Sequence, residues 1–330
     1  MINIYLLCVI LLVNIIIFLN LNLISKAVNL YDFPNSSRKI HTVPTPSIGG
    51  LILLTNLTFL LLINFFFNVF NFNFFVLFYS SIAIFFISFL DDKFNISPYK
   101  KFFFIGLVVF LFFLNNEEKL ISRVVFDFYY MSIENYYLSF FISWICVMLF
   151  LNAVNLYDGA NGQLATYFIT IFLFFLYGNI FFSLSFFVLM FLLFFLYYNL
   201  RGKIFLGDNG SFLLGFVVAF MFISNNSTEN YIVAERVFLL MFLPGLDMLR
   251  LFVERLLNKK NPFIADKSHI HHLLIKKFSE KQRNVFNILI FSVPIILSYL
   301  INNLFLIFIL IIFYFLFIYK YLGHSLKNDG

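Results

Sequence analysis

Asn152-Ala-Val-Asn155-Leu-Tyr-Asp158-Gly-Ala-Asn161-Gly-Gln163 closes an apolar run that begins near residue 137. Amides and carboxylates at membrane depth are costly unless they line a polar cavity or reach the interface. The run therefore reads as a membrane-spanning helix that ends on a polar binding site. Asn152 and Asn155 lie one helical turn apart, so both amides can share a face, and Asp158 extends that face by another turn. Gly159 and Gly162 then break the helix and let a ligand approach the backbone closely. The plainer alternative is a glycine-rich C-cap with an asparagine-rich surface.

The rest of the chain supports the membrane reading. Of 330 residues 62% are hydrophobic and 12% charged, against about a quarter charged in soluble domains. The implied fold is an all-α polytopic membrane bundle with the bilayer as its partner, and no nucleic-acid partner is expected. A helical span needs about twenty apolar residues. That length places about eleven transmembrane helices near 2–24, 48–67, 74–90, 102–114, 137–153, 164–178, 180–198, 212–224, 234–252, 286–301 and 304–320. The first run lacks a basic lead and a small-residue cleavage site, so it reads as a retained helix. Cys8 and Cys146 lie in apolar runs without a CxxC neighbourhood, which gives no sign of a disulfide framework or a zinc site. Phenylalanine runs such as Phe65 to Phe67 are read as lipid-facing or core residues.

With eleven spans the loops alternate sides, and the basic residues sort 19 to 3. By the positive-inside rule the richer set is cytoplasmic, the N-terminus outside and the C-terminus inside. The unusual polar motifs fall on that same cytoplasmic face. No internal repeat appears, and residues 1–330 read as one domain. In order, the motifs are Asp91-Asp92-Lys93 with Lys101, the 152–163 stretch, Gly207-Asp208-Asn209-Gly210-Ser211, and Asn261-Pro-Phe-Ile-Ala-Asp266-Lys267-Ser-His269-Ile-His271-His272. Adjacent carboxylates repel and call for a cation nearby. A small-residue turn opening a helix, with Arg201 and Lys203 beside it, suits phosphate, and Asp208 suits a hard cation. Three imidazoles without cysteines or HxxxH spacing favour a phosphate or sugar contact over zinc. Taken singly, each motif also has a plain reading as a cap or a solvated basic loop.

Together, on one face and in this order, the four motifs resemble the polyprenyl-phosphate N-acetylhexosamine-1-phosphate transferase family, over a motif-bearing core of about 38–273. The histidine loop is similar to the GlcNAc-type branch. The phospho-MurNAc-pentapeptide transferases of peptidoglycan synthesis are the alternative within the family, and a membrane transporter is the alternative from another class. Many bacterial members carry Asp where this chain has Asn161, a change that retains hydrogen-bonding capacity toward a uracil ring. The resemblance implies transfer of a sugar-1-phosphate from a UDP-N-acetylhexosamine to a polyprenyl (undecaprenyl) phosphate. UMP leaves, and the lipid-linked product initiates a cell-surface polysaccharide such as O-antigen.

Carried over by residue, the resemblance implies Mg²⁺, with Mn²⁺ as a substitute, on Asp208 and Asn155. Asp91, Asp92, Lys101 and Asp158 form the catalytic set, with Asp91 orienting or deprotonating the lipid phosphate and Asp158 supporting the turn. Asn161 reads uracil, and Asn152 is a further substrate-binding residue. His269, His271, His272, Arg250 and Arg255 contact the sugar and diphosphate, and Arg38, Lys39 and His41 assist. The expected location is the bacterial inner membrane with the active site facing the cytoplasm. The sugar and the oligomeric state, a homodimer among the options, are left open.

Overall fold

Apolar sequence becomes helix wherever a bilayer would leave backbone groups no other partner. The computed structural model describes residues 4–34, 41–68, 74–226, 231–259, 261 and 269–322. Each of the eleven apolar segments carries helix there. In chain order the helices are α1 (Ile4–Leu19), α2 (Leu21–Val28), α3 (Gly49–Phe67), α4 (Phe74–Phe94), α5 (Pro98–Leu114), α6 (Tyr136–Tyr157) and α7 (Gln163–Tyr177). They continue with α8 (Phe182–Asn199), α9 (Gly207–Asn226), α10 (Ala234–Leu257), α11 (Ile270–Lys277), α12 (Glu280–Leu297) and α13 (Asn303–Leu322). Two short antiparallel ladders join them: β1 (Tyr31–Asp32) with β2 (Thr45–Pro46), and β3 (Arg123–Val125) with β4 (Tyr130–Ser132).

Six helices among the described residues are long and apolar enough to cross a membrane: α3, α4, α6, α8, α9 and α13. A seventh span arises if α1 and α2 count as one. Eleven spans are thus not reached by length and composition. Helices α5 and α7 have 17 and 15 residues, short of the roughly twenty that a straight crossing needs. Helix α10 carries six charged side chains, Glu235, Arg236, Asp247, Arg250, Glu254 and Arg255.

Several boundaries depart from the sequence reading for local reasons. The expected first span 2–24 bends by 64° between α1 and α2, at Asn20, whose side-chain amide donates to the Ile16 carbonyl at 2.8 Å. Helix α5 starts at Pro98, where the missing N–H costs nothing. Helix α9 begins at Gly207, so the Gly-Asp-Asn-Gly turn is itself the first helical turn. Helix α12 starts at Glu280 behind a capping box of Ser279 and Gln282.

Helix α9 lies at the centre. It packs on α3, α4 and α6, and 83% of its apolar stretch is buried inside the protein, against 28% for α13. Small side chains allow this close packing: Gly210 and Ser211 face the α3 and α6 contacts, and a methyl at Gly215 would stand 3.0 Å from Leu151. Around this axis α5 packs on α4 and α6, α7 on α8 and α12, and α10 on α6, α12 and α13. Phenylalanine divides between the two environments: Phe112, Phe168, Phe172, Phe191 and Phe212 are core, whereas Phe65, Phe66 and Phe67 are exposed.

Candidate active site at the start of the central helix

The N-terminus of α9 is fixed by three separate segments. Gly49 and Gly50, opening α3, donate their backbone N–H groups to the carbonyls of Phe205 and Leu206 at 3.0 and 3.1 Å, and Phe205 N–H donates to Pro46 at 2.8 Å. This contact needs bare backbone, because a methyl at Gly50 would lie 2.5 Å from Gly210 Cα. Gly207 turns the chain with φ +75°, the left-handed region that favours glycine. Asp92, near the end of α4, then caps α9: its carboxylate accepts from the backbone N–H of Asp208 at 3.1 Å and of Asn209 at 3.0 Å, and from the Asn209 amide. An acidic side chain on free N–H groups at the positive end of a helix is favourable. Expected as a catalytic residue, Asp92 has its acceptor sites directed at this helix start.

With α9 so placed, Asp208 faces Lys101 and Asn155. Lys101 Nζ donates to Asp91 Oδ2 at 2.6 Å and to Asp208 Oδ2 at 2.5 Å. Asn155 Nδ2 donates to Asp208 Oδ1 at 3.0 Å and to Ser211 Oγ at 2.9 Å. Residues from α4, α5, α6 and α9 therefore meet in one cluster. Asp91 is buried, while the Asp208 side chain is 35% exposed. Two carboxylates against one ammonium leave the cluster net negative, and Asp92 and Asp158 lie close enough to feel the Asp208 charge. Such a site attracts cations, and its oxygens, now engaged by Lys101 and Asn155, are of the hard kind that a divalent cation takes.

The 152–163 stretch borders the cluster. Asp158 caps the C-terminus of α6, and among the described residues its carboxylate makes no hydrogen bond or ion pair. Burial, then the charges of Asp208 and Asp92, push its carboxyl up to about 7. Asn152 donates to the Met148 carbonyl at 2.7 Å within its own helix. Asn161 is half-buried, and its amide has no hydrogen-bond partner among the described residues. Gly162, at φ +77°, donates its N–H to Asn199 Oδ1 at 2.6 Å, and Asn199 donates onward to the Ile204 carbonyl at 2.8 Å. Behind the turn, buried Asn287 of α12 accepts from the Tyr157 hydroxyl and donates to the Gln163 carbonyl and the Thr166 hydroxyl. The turn is thus held from both sides while Asp158 and Asn161 are left unengaged.

Helix α11 carries the histidines to the same place. The His271 ring lies against Gly159, where a methyl would collide with it. Burial first, then His272 and His269, drive the His271 imidazole down to about 3, with Asp247 opposing. His271 is therefore neutral packing beneath the turn, and its buried Nδ1 has no hydrogen-bond partner among the described residues. His269 and His271 stack with ring centres 5.6 Å apart, and His272 lies 4.2 Å from His271. His269 pairs with Asp247 of α10 at 3.0 Å. Arg250, expected at the sugar and diphosphate, faces Asp247 at 2.9 Å, Tyr314 at 3.0 Å and Glu254 at 3.0 Å. Arg255 is buried on the same helix. His41 bridges Asp32 and the Val43 carbonyl, both at 2.9 Å. Arg38, Lys39 and the 262–268 part of the histidine motif lie outside the described residues.

Sequence reasoning missed Asp247, Asn199, Asn287 and the Gly49-Gly50 pair. Asp247 carried a signal: a carboxylate following the apolar stretch 237–246 within a helix, with arginine three residues on, is a functional candidate by default. Asn199 and Asn287 gave none beyond being polar in apolar runs.

A helical membrane bundle whose carboxylates, amides and a lysine converge at one end offers a polar, net negative site suited to a hard cation. The comparisons name the class. Residues 74–226 match the family model described as glycosyl transferase family 4. The chain is 32% identical over 264 residues to an undecaprenyl-phosphate α-N-acetylglucosaminyl 1-phosphate transferase of Thermotoga maritima, covering 79% of this chain and 78% of that one. It is 28% identical over 294 residues to a probable undecaprenyl-phosphate N-acetylglucosaminyl 1-phosphate transferase of Bacillus subtilis, covering 84% and 81%. An Escherichia coli K12 protein bearing the same name as the Thermotoga one is 32% identical over 84 residues, 25% of this chain and 23% of its own. The chain belongs to glycosyl transferase family 4 and is a multi-pass membrane sugar-phosphate transferase.

Proposed function

We propose that the protein transfers N-acetylhexosamine-1-phosphate from a UDP-sugar to a polyprenyl phosphate, undecaprenyl phosphate in the first instance. An oxygen of the lipid phosphate forms a bond to the sugar-bearing phosphorus of the donor. The bond from that phosphorus to the bridging oxygen breaks, and UMP leaves with that oxygen. The product is a lipid-linked diphosphate sugar that starts a cell-surface polysaccharide. The observation that carries this reading is the convergence of Asp91, Lys101, Asn155 and Asp208 beside a turn whose Asp158 and Asn161 are unengaged. Phosphoryl transfer asks little of a protein beyond positioning and charge neutralisation, and these groups supply both.

In this reading Lys101 neutralises the reacting phosphates and Asp91 orients the acceptor phosphate. Asn161 reads the uracil ring through an amide that can both donate and accept, and Asn152 contributes to substrate binding. Asp158, pushed up to about 7, can hold or release a proton at neutral pH beside the turn. Asp92 and Asn209 keep the start of α9 in place. His269 and His272 meet the sugar or diphosphate, while His271 packs beneath the turn. The donor set fits a hard divalent cation, because Asp208 and the carbonyl oxygen of Asn155 are oxygen ligands in a net negative cluster. Mg²⁺, or Mn²⁺ in its stead, would be held by Asp208 and Asn155 and would offset the charge of the donor diphosphate. Sorted over the eleven expected spans, the basic residues fall 19 to 3, which favours a site facing the cytoplasm, and the bacterial inner membrane is the location this reading implies.

Purified protein given undecaprenyl phosphate and a panel of UDP-N-acetylhexosamines should release UMP, stop on chelation and resume with Mg²⁺. Absence of UMP from every donor, or full activity of Asp208→Ala, refutes the reading.

A further inference from the structure

Asp247 sits near the middle of α10 and is 3% exposed. Four donors from three helices reach it. His269 Nδ1 lies 3.0 Å from Oδ2, and the backbone N–H of Ile270 lies 3.2 Å from the same oxygen. Arg250 Nη2 donates to Oδ1 at 2.9 Å, and the Tyr314 hydroxyl does so at 3.2 Å. Arg250 Nε also donates to that hydroxyl at 3.0 Å, which closes the group on itself. No acceptor site of Asp247 is left for a substrate, so it is not a catalytic residue. Its effect must pass through what it holds.

What it holds is the start of the histidine helix. Residue 269 is the N-cap of α11 and Ile270 its first residue. One carboxylate therefore accepts a free N–H of that helix start and grips the capping side chain together. An ionised carboxylate can only accept, so the proton between it and His269 belongs to Nδ1. That leaves Nε2 as the ring's remaining polar atom, and it has no hydrogen-bond partner among the described residues. From His269 the ring stack runs through His271 to Gly159, so the same grip also sets the floor of the 158–162 turn.

We propose that Asp247 is a positioning residue that locks His269 with Nδ1 protonated and Nε2 turned to the donor diphosphate, with Arg250 as its counter-ion. The proposal rests on the transferase reading given above. A carboxylate that orients a working histidine through its far nitrogen typically changes function about 10–100-fold when removed, in the related case of metal-ligating histidines.

The test uses Asp247→Asn, His269→Ala and the double variant of the full-length protein in detergent. Steady-state rates are taken with UDP-N-acetylglucosamine and undecaprenyl phosphate. Asp247→Asn should lower kcat about 10–100-fold with the KM for the lipid unchanged. Adding His269→Ala to it should cost no more than about twofold further, because both remove one unit. Multiplying losses, or an Asn variant within twofold of the parent, overturn the proposal. If Asp247→Asn fails to fold, Tyr314→Phe replaces it, because that change removes one donor and spares the charge. It should lower kcat several-fold in the parent and not at all in His269→Ala, and equal losses in both backgrounds overturn the proposal. A second readout needs no substrate. Diethyl pyrocarbonate labelling of His269, followed by peptide mass spectrometry with His41 as reference, should speed up at least fivefold in the variant that folds. An unchanged rate overturns the lock. Faster labelling in a protein that releases no UMP from any UDP-sugar would refute the transferase reading while leaving the lock standing.

Discussion

Replacing Gly50 by alanine tests whether the approach of α3 to α9 places Asp208. The added methyl would stand 2.5 Å from Gly210 Cα and nearer still to Asn209 Oδ1 and Gly210 N, whereas ordinary contact begins at 3.4 Å. Two of these three atoms are backbone of the helix that carries Asp208, so no side-chain rotation relieves the clash. The helix starts must part by about 1 Å, and a displacement of that size at a reacting centre costs about 10²-fold in rate. Overpacking of this kind costs about 1–3 kcal/mol in stability, a moderate fall in melting temperature. The assay is UMP release from a UDP-N-acetylhexosamine and undecaprenyl phosphate, with melting followed in the same detergent. Gly245→Ala is the control: it lies in α10 with open space around it, and alanine favours helix there. Gly50→Ala within threefold of the parent rate, or Gly245→Ala with a comparable loss, would refute the link from close packing to site geometry.

Lys101→Met keeps an unbranched stem of similar bulk and removes the ammonium shared by Asp91 and Asp208. Charge-assisted bonds are each worth about 1.5–3 kcal/mol, so kcat/KM should fall at least about 100-fold, and a loss under tenfold would contradict the assignment. His271 makes a prediction in pH. Its value in the fold, about 3, lies below the ordinary 6.5, so the fold holds it neutral. Its contribution to stability is complete above 6.5 and is lost as pH falls toward 3, amounting to about 2 kcal/mol by pH 5. Melting temperature should drop between pH 7.5 and pH 5, and His271→Gln should flatten that drop; an equally steep drop in the variant would exclude His271 as its source.

Four of the residues singled out by sequence meet in one cluster, whereas the eleven expected spans are not reached by length and composition among the described residues. Asp91 and Lys101 lie ten residues apart, with Asn155 and Asp208 much further along the chain, yet each sits at the end of an apolar run or just inside one. A carboxylate or amide there is costly enough to signal a purpose. Asp92 was legible as polar but not as a cap, because nothing local says that the Asp208 and Asn209 N–H groups lie against it. The same holds for Arg250: its charge pointed to phosphate, while its partners Asp247 and Tyr314 arrive from three residues upstream and from the last helix. Helix boundaries were read from hydrophobicity, which does not register that Gly207 to Gly210 are already helical or that Asn20 bends the first run. The depth of α9 was hidden for another reason. Buried and lipid-facing helices are both apolar, and only packing partners tell them apart.

The difference between α9 and α13 in how much of each is covered bears on how the enzyme meets its lipid environment. A bilayer thicker or thinner than a helix acts on that helix by tilting it or by deforming around it, at a fraction of a kcal/mol per ångström. Such forces reach the outer helices first, α13 above all, since most of its surface is open. Asp208 rides instead on an axle wrapped by α3, α4 and α6. The outer helices can therefore yield like a suspension to changes in membrane thickness while the reacting groups keep their spacing.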